Sequence, residues 1–303
     1  MPGRGAGARS FDSTTSKLGW AARRARLVIA ASRPGARVDT STGYRPLHRR
    51  GGTDSVRKVA GAVELRERVA ALRWYHQIDL APGVRTPGVN DPSLSLPRLG
   101  LPVDLSGKTV LDIGAWDGAW SFEAERRGAK RVLATDSYSW TGAGWGCKAA
   151  FELAREALGS AVEDQTIDVF DLGPETVGTF DVVLFLGVLY HLKDPVGALE
   201  RVASVTADRA IIETEVDLML LRRPAAAFYP ATELNTDPTN WWGLNPPAVA
   251  AALRVAGFSR VDIVWKRSLP ARFGGWAKHL RGPQRRPLLD ALSRHRAVFH
   301  AWK

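Results

Sequence analysis

The sequence predicts an α/β fold, a seven-stranded and mostly parallel sheet with helices on both faces and a helical cap in front of it. Three observations predict it. From residue 106 short apolar runs alternate with helix-patterned segments, as in sheets covered on both faces. The first apolar run empties into a glycine-bearing turn that opens a helix. The last two apolar runs follow one another without the strand–helix alternation and are set to close the sheet as an antiparallel pair.

The expected strands are TVLDI (109–113), RVLAT (131–135), VEDQTIDV (162–169), DVVLFL (181–186), RAIIETE (209–215), RVDIVWK (260–266) and RAVFHAW (296–302). Helices are expected near 118–127, 147–158, 195–205 and 246–258. A Pro/Arg-rich excursion separates the last two strands. Upstream, Val59, Val63, Leu65, Val69 and Leu72 recur at helical spacing, so a cap of one or two helices is expected. The stretch 81–102, rich in Pro and Gly, reads as an irregular segment wrapping toward a site. The organisation is thus a tail over 1–57, a cap and irregular segment over 58–105, and a main domain over 106–303. The tail mixes Gly, Ser, Thr, Arg and Pro with few large apolar groups, a composition that cannot offset the entropy of ordering and reads as disorder. Within it, residues 17–32 could form a short basic amphipathic helix.

Length and composition narrow the function. The 303 residues can bury a sizeable core, and no apolar run approaches the roughly 20 residues of a membrane span. The single cysteine, Cys147, excludes an internal disulfide and a Cys-rich zinc site, and no metal is expected. Met1 is not followed by an apolar signal core, so a cytoplasmic protein is expected. The net charge of +11 suggests nucleic acid until it is located. Residues 1–58 carry +10 and residues 260–303 carry +9, while the body between them carries −8.

The first chemical motif is VLDIGAWDG (110–118). Asp112 leaves the strand, and Gly114 and Gly118 make a turn whose backbone can approach a ligand at a helix start. A nicotinamide site uses G-x-G-x-x-G, but Trp116 holds the middle position. Asp136, closing the second strand, is placed to accept both hydroxyls of a ribose. Asp168 could accept from an adenine amino group with Val169 and Phe170 flanking the ring. In FDVVLFLGVLYHLKDP (180–195) the strand ends at Leu186 and Gly187, and Tyr190 and His191 follow at the carboxyl edge, where open α/β sheets bind ligands. A tyrosine face near a sulfonium contributes about 0.5–2 kcal/mol of cation–π attraction.

WYHQIDLAPGVRTPG (74–88), GKTVLDIGAWDG (107–118), FDVVLFLGVLYHLKDP (180–195) and RAVFHA (296–301) together resemble the tRNA wobble-uridine carboxymethyltransferase group. They resemble more closely its broader bacterial relatives among class I methyltransferases that use S-adenosylmethionine (SAM); DPTNWWGLNP (237–246) is a mark of those relatives. The resemblance covers about 70–303. It implies a Rossmann-like class I methyltransferase fold, SAM as cofactor, and contacts from Gly114, Asp136, Val169, Leu186, Tyr190 and Arg296. The tRNA enzyme uses a carboxylated SAM and reads the extra carboxylate with a lysine where Asn90 stands here. Losing that charge-assisted bond removes about 1.5–3 kcal/mol. Ordinary SAM is therefore expected, with carboxylated SAM the lesser alternative.

On the acceptor side, a hydroxyl acceptor needs a base, and His191, Glu213, Glu215 and His76 are the candidates. Asn240, Trp241 and Trp242, in the insert 228–243, suit a planar or sugar-like acceptor, and Asn90 is counted with them among the pocket residues. The leading expectation is O-methylation of a small molecule. The alternatives are (carboxy)methylation of a tRNA wobble uridine, which the basic ends favour, and a SAM-binding regulatory protein without catalysis.

Overall fold

A computed structural model describes residues 52–142, 147–279 and 287–303. The tail expected over 1–57 lies outside the described residues up to 51, as does the helix expected over 17–32. Within the rest of that tail the first helix, α1, already begins, at Gly52, and runs to Ala70. The cap then changes character. Strands β1 (Asp79–Ala81) and β2 (Val84–Arg85) form a small hairpin. The segment expected to be irregular holds a helix, α2 (Pro92–Leu99). Asp91 caps it by accepting from Ser93 N, Pro92 opens it where no N–H is needed, and Gly100 closes it at φ 61°. The Pro and Gly content that reads as an irregular segment here marks the two ends of a helix.

The main domain follows the expected alternation. It runs β3 (Thr109–Ile113), α3 (Ala119–Arg126), β4 (Arg131–Asp136), the single turn α4 (Tyr138–Thr141), α5 (Lys148–Leu158) and β5 (Glu163–Thr166). Then come β6 (Phe180–Leu186), α6 (Pro195–Ser204), β7 (Thr206–Val216), the short strands β8 (Ala226–Phe228) and β9 (Trp242–Leu244), and α7 (Pro246–Val255). The chain finishes with β10 (Arg260–Lys266), α8 (Leu269–His279), α9 (Leu288–Ser293) and β11 (His295–Trp302). The third expected strand stops three residues early. Asp168 accepts from Phe170 N and caps a 3₁₀ turn over Val169–Asp171, which takes the chain out of the ladder.

Among the described residues seven strands form one sheet in the order β10-β11-β7-β6-β3-β4-β5. All its pairings are parallel except those of β11, which is antiparallel to both neighbours. The chain winds outward from β3 through β4 to β5, then returns to place β6 on the other side of β3. The crevice between the carboxyl ends of β3 and β6 is therefore the switch point where such sheets take ligands.

Alternation along the central strands sends their side chains into two cores. Leu111, Ile113, Val183, Phe185 and Ile212 join α6 and α7 on one face. Val110, Val182, Leu184, Ile211 and Val298 join α1, α3 and α5 on the other. At the carboxyl edge this second face passes from apolar to charged. Glu213 and Glu215 follow Ile211 at period two, and β11 brings Arg296 directly across from Glu215. No helix among the described residues is long and apolar enough to cross a membrane.

Candidate active site

The turn after β3 is held by two backbone bonds, Gly114 N and Ala115 N both donating to Thr135 O at 2.7 and 3.0 Å. Gly114 has φ 77°, and a Cβ there would meet Val188 Cγ2 at 2.4 Å, so no larger residue fits. Asp112 does not face the crevice. It is 1% exposed, and its Oδ2 accepts from the Ser121 hydroxyl of α3 at 2.6 Å, fixing helix to strand beneath the turn. This corrects its expected place among the ligand contacts.

Burial pushes the Asp112 carboxyl up to about 6, against the opposing Ser121 bond. Since its ordinary value is near 4, the fold disfavours the ionised form, and its stability rises as pH falls from above 6 toward 4. Asp112→Asn keeps an acceptor for Ser121 and removes the penalty. We expect it to raise stability at pH 7.5 by up to about 3 kcal/mol. Thermal melts should show that gain vanishing near pH 4.

Asp136 ends β4 and is buried. Its Oδ1 accepts from Ser139 N at 2.8 Å and its Oδ2 from Trp116 N at 3.0 Å. These two backbone bonds take one acceptor site on each carboxylate oxygen. Burial raises its pKa against the opposing backbone bonds. Asp168 sits next to it, exposed, its Oδ2 accepting from the Ser137 hydroxyl at 3.2 Å. Val169 points into the core, while Phe170 is partly exposed.

At the end of β6, Leu186 leads to Gly187, whose φ is 75° and whose N–H donates to Glu213 O. A Cβ on Gly187 would lie 3.6 Å from Arg296 Nη1, 3.7 Å from Tyr190 Oη and 3.9 Å from Glu213 Oε2. Those groups form one cluster. Arg296 donates from Nη1 to Glu213 at 2.8 Å, from Nε to Glu215 at 3.0 Å and from Nη2 to Tyr190 Oη at 2.6 Å. Burial raises the Glu213 pKa, and Arg296 opposes that. Burial works against the charge on Arg296, yet the Glu213 and Glu215 carboxylates help hold it protonated above the ordinary arginine range. Burial drives the Tyr190 hydroxyl up as well, so it stays neutral. With both acids ionised, two carboxylates surround one guanidinium and the cluster keeps a net charge of −1. Glu213 and Glu215, expected as bases, are both engaged by Arg296.

His76, the other expected base, is a buried clamp. Its Nδ1 donates to Asp117 Oδ1 at 2.5 Å, and Asp117 Oδ2 accepts from the backbone N–H groups of Tyr75 and His76. Burial alone would raise the Asp117 pKa, but the His76 imidazole and those N–H groups outweigh it and hold it low. Asp117 is 0% exposed and ties the cap to the glycine turn. The sequence reading passed over it, although an acid inside a glycine turn is a signal of such anchoring. The clamp lays the Tyr75 ring flat on Trp116 at 4.4 Å. Asn90 bonds through its backbone to Tyr75 O and Gln77 N, beside that clamp.

The insert between β7 and α7 docks on the segment after β6. Trp241 N donates to Tyr190 O at 2.8 Å, and Trp242 Nε1 to Lys193 O at 3.1 Å. Phe228, Trp241, Trp242 and Lys193 line a cleft of about 300 Å³. A larger one of about 380 Å³ lies between the end of α1 and α5. Asn240 faces inward, not into the aromatic cleft. It is 2% exposed, with Nδ2 on Leu234 O and Oδ1 without a partner among the described residues. His191 is half-buried and bonds Thr239 of the insert through Nδ1. Burial lowers its pKa, so the imidazole is neutral near pH 7. Among the described residues no group of three or more His, Cys, Asp or Glu is placed to hold a metal.

Comparison with known proteins agrees with this architecture. Residues 91–255 match a family model described as a methyltransferase domain. The tRNA U34 carboxymethyltransferase of Colwellia psychrerythraea is 27% identical over 53% of this chain and 48% of its own length. That of Campylobacter hominis is 35% identical over 34% of this chain and 33% of its own. The enzyme so named from Pseudomonas paraeruginosa matches at 26% over 65% and 59%. The chain thus spans between a third and three-fifths of these relatives. Among solved structures, the N-terminal domain of EvdMO1, crystallised with SAH and D-fucose, aligns with a TM-score of 0.55 at 19% identity, covering 84% of this chain and 99% of that domain.

Proposed function

Because the chain belongs to the methyltransferase-domain family, in its class I, SAM-dependent form, we propose that it transfers a methyl group from SAM to a hydroxyl of a small-molecule acceptor. The observation that carries the methyl over the carboxymethyl reading is the cluster around Arg296. Its guanidinium charge is already matched by Glu213 and Glu215, with a further bond to Tyr190, so the cluster offers no free positive charge to an added carboxylate. Asn90 offers no positive charge to reverse this.

The residues present fit SAM. The Gly114 cradle admits only bare backbone at the switch point. In this reading Gly114 and Gly118 shape the turn, Asp136 takes the ribose hydroxyls, and Asp168 takes the adenine amino group beside Val169. Leu186, Tyr190 and Arg296 frame the methionine end. When bound, SAM supplies a methyl carbon activated by its sulfonium. The chain's own task is positioning and the exclusion of water, worth several kcal/mol of barrier when reactants are held in line. His191 is the base, since the two glutamates and His76 are occupied by ionic partners. Trp241 and Trp242 hold the flat face of the acceptor, and the aromatic cleft suits the C–H face of a sugar ring.

The carboxymethylation of tRNA is the competing reading, favoured by the names of the relatives over part of this chain. The two separate when the protein is incubated with methyl-labelled SAM, or with labelled carboxylated SAM, against total tRNA and a monosaccharide panel that includes D-fucose. Label from SAM in the sugar arm is expected; label in the tRNA arm would overturn the proposal, and none in any arm would favour a regulatory SAM-binding role. Asp136→Ala should weaken SAM affinity at least about tenfold, the loss of one charge-assisted bond. Unchanged affinity by calorimetry would remove Asp136 from the ribose site.

A further inference from the structure

The insert that carries Trp241 and Trp242 also holds the only group that contacts the His191 ring through hydrogen bonds among the described residues. His191 Nδ1 lies 3.2 Å from Thr239 O and 2.9 Å from Thr239 Oγ1. A carbonyl oxygen only accepts, so Nδ1 must carry the proton. The hydroxyl agrees. Thr239 Oγ1 donates its own proton to Asp237 Oδ1 at 2.7 Å, which turns a lone pair toward the ring. Asp237 Oδ1 also accepts from Thr239 N at 2.9 Å, fixing the acid to the same turn. Nε2 is left as the bare nitrogen, and no described residue bonds it.

We propose that Thr239 and Asp237 are positioning residues that set His191 as a base through Nε2, for an acceptor hydroxyl seated on the neighbouring tryptophans. This rests on the methyl-transfer reading above. The hydroxyl proton passes to Nε2 while its oxygen bonds the methyl carbon, and the electron pair of the breaking C–S bond stays on sulfur. The imidazolium so formed gains a partner in Asp237 through the Thr239 hydroxyl. The other groups that face the ring are Glu215 and Asp237, which favour its protonation, Arg296, which opposes it, and the Tyr190 ring at 4.2 Å. Because Trp241 N and Trp242 Nε1 tie this insert to Tyr190 and Lys193, the element that grips the acceptor also orients the base.

The tautomer measurement needs neither cofactor nor acceptor. In the full chain labelled with ¹⁵N-histidine, long-range ¹H–¹⁵N spectra should give the resonances lost in His191→Gln as a protonated Nδ1 and a bare Nε2. Asp237→Asn removes an anion that favours protonation, so the His191 midpoint should move to lower pH, and Thr239→Ser should keep the wild-type tautomer. A protonated Nε2 in the wild type, or an unmoved midpoint in Asp237→Asn, would overturn the relay. SAM affinity should stay within about twofold of wild type in Asp237→Asn and Thr239→Ser, whereas a tenfold loss would place these residues in the cofactor site and overturn their role. A failure of methyl transfer in the labelling assay leaves the tautomer result intact and counts against the chemistry alone. A protonated Nε2 beside intact transfer sinks only the relay.

Discussion

Arg296→Met is expected to cost about 3–5 kcal/mol of stability at pH 7.5, the range for removing one partner from a buried ion pair. In a domain of this size that is a fall in melting temperature on the order of 10 °C. The cause is what remains. Methionine fills the space of the aliphatic stem, but Glu213 and Glu215 would face each other from neighbouring positions on one strand face without the guanidinium between them. Burial already raises the Glu213 pKa with Arg296 in place. Without Arg296 the Glu213 pKa moves higher still, so the folded variant binds more protons than its unfolded chain. By linkage its deficit should shrink as pH falls from 7.5 toward 5. Arg296→Lys keeps the charge and loses the fork that reaches both acids and Tyr190, and its loss should fall between the two. A melting temperature for Arg296→Met within 2 °C of wild type at pH 7.5 would mean that water, not the arginine, satisfies the two acids.

That cluster also shows where sequence reading reaches and where it stops. The central parallel strands β3, β4 and β6 were legible because each is an apolar run followed by a turn, and burial on both faces writes that pattern directly into the chain. The crevice was legible too, since Gly114, Asp136, Gly187 and Tyr190 end their strands or start their loops. The pairing of Glu213 and Glu215 with Arg296 was not, because it depends on the register of β11 against β7 across 81 to 83 residues. Period two put the acids on one face, but only the antiparallel register says what stands opposite. The same reason hides the Asp117 clamp, whose partners are 41 and 42 residues away in the cap. Helix α2 was misread for a different reason. Asp-Pro at its start and Gly at its end are helix boundaries, yet in an eight-residue helix boundaries make up much of the composition. The strands β8 and β9, three residues each, are too short for any period to show.

Glu213→Gln with Glu215→Gln is expected to reverse the preference between SAM and carboxylated SAM, which on the proposed methyl-transfer reading favours SAM in the wild type. The amides keep the volume and keep an oxygen for each Arg296 donor, so the packing around Gly187 is retained. The charge is what changes. With both acids ionised the wild-type cluster carries −1 beside the space in front of Gly187, and the double variant carries +1. A donor with an added carboxylate then meets a guanidinium whose partners are neutral. One charge-assisted bond is worth about 1.5–3 kcal/mol, so the affinity ratio should swing by roughly ten- to a hundredfold. Adding Asn90→Lys places an ammonium on the cap side and should move the ratio further in the same direction. Calorimetric titration with each donor measures it directly. If the double variant shifts the ratio by less than threefold, the donor's methyl end does not meet this cluster. The sign of the charge at Gly187 would then have no part in separating methyl from carboxymethyl transfer, and the choice between them would rest on Asn90 alone.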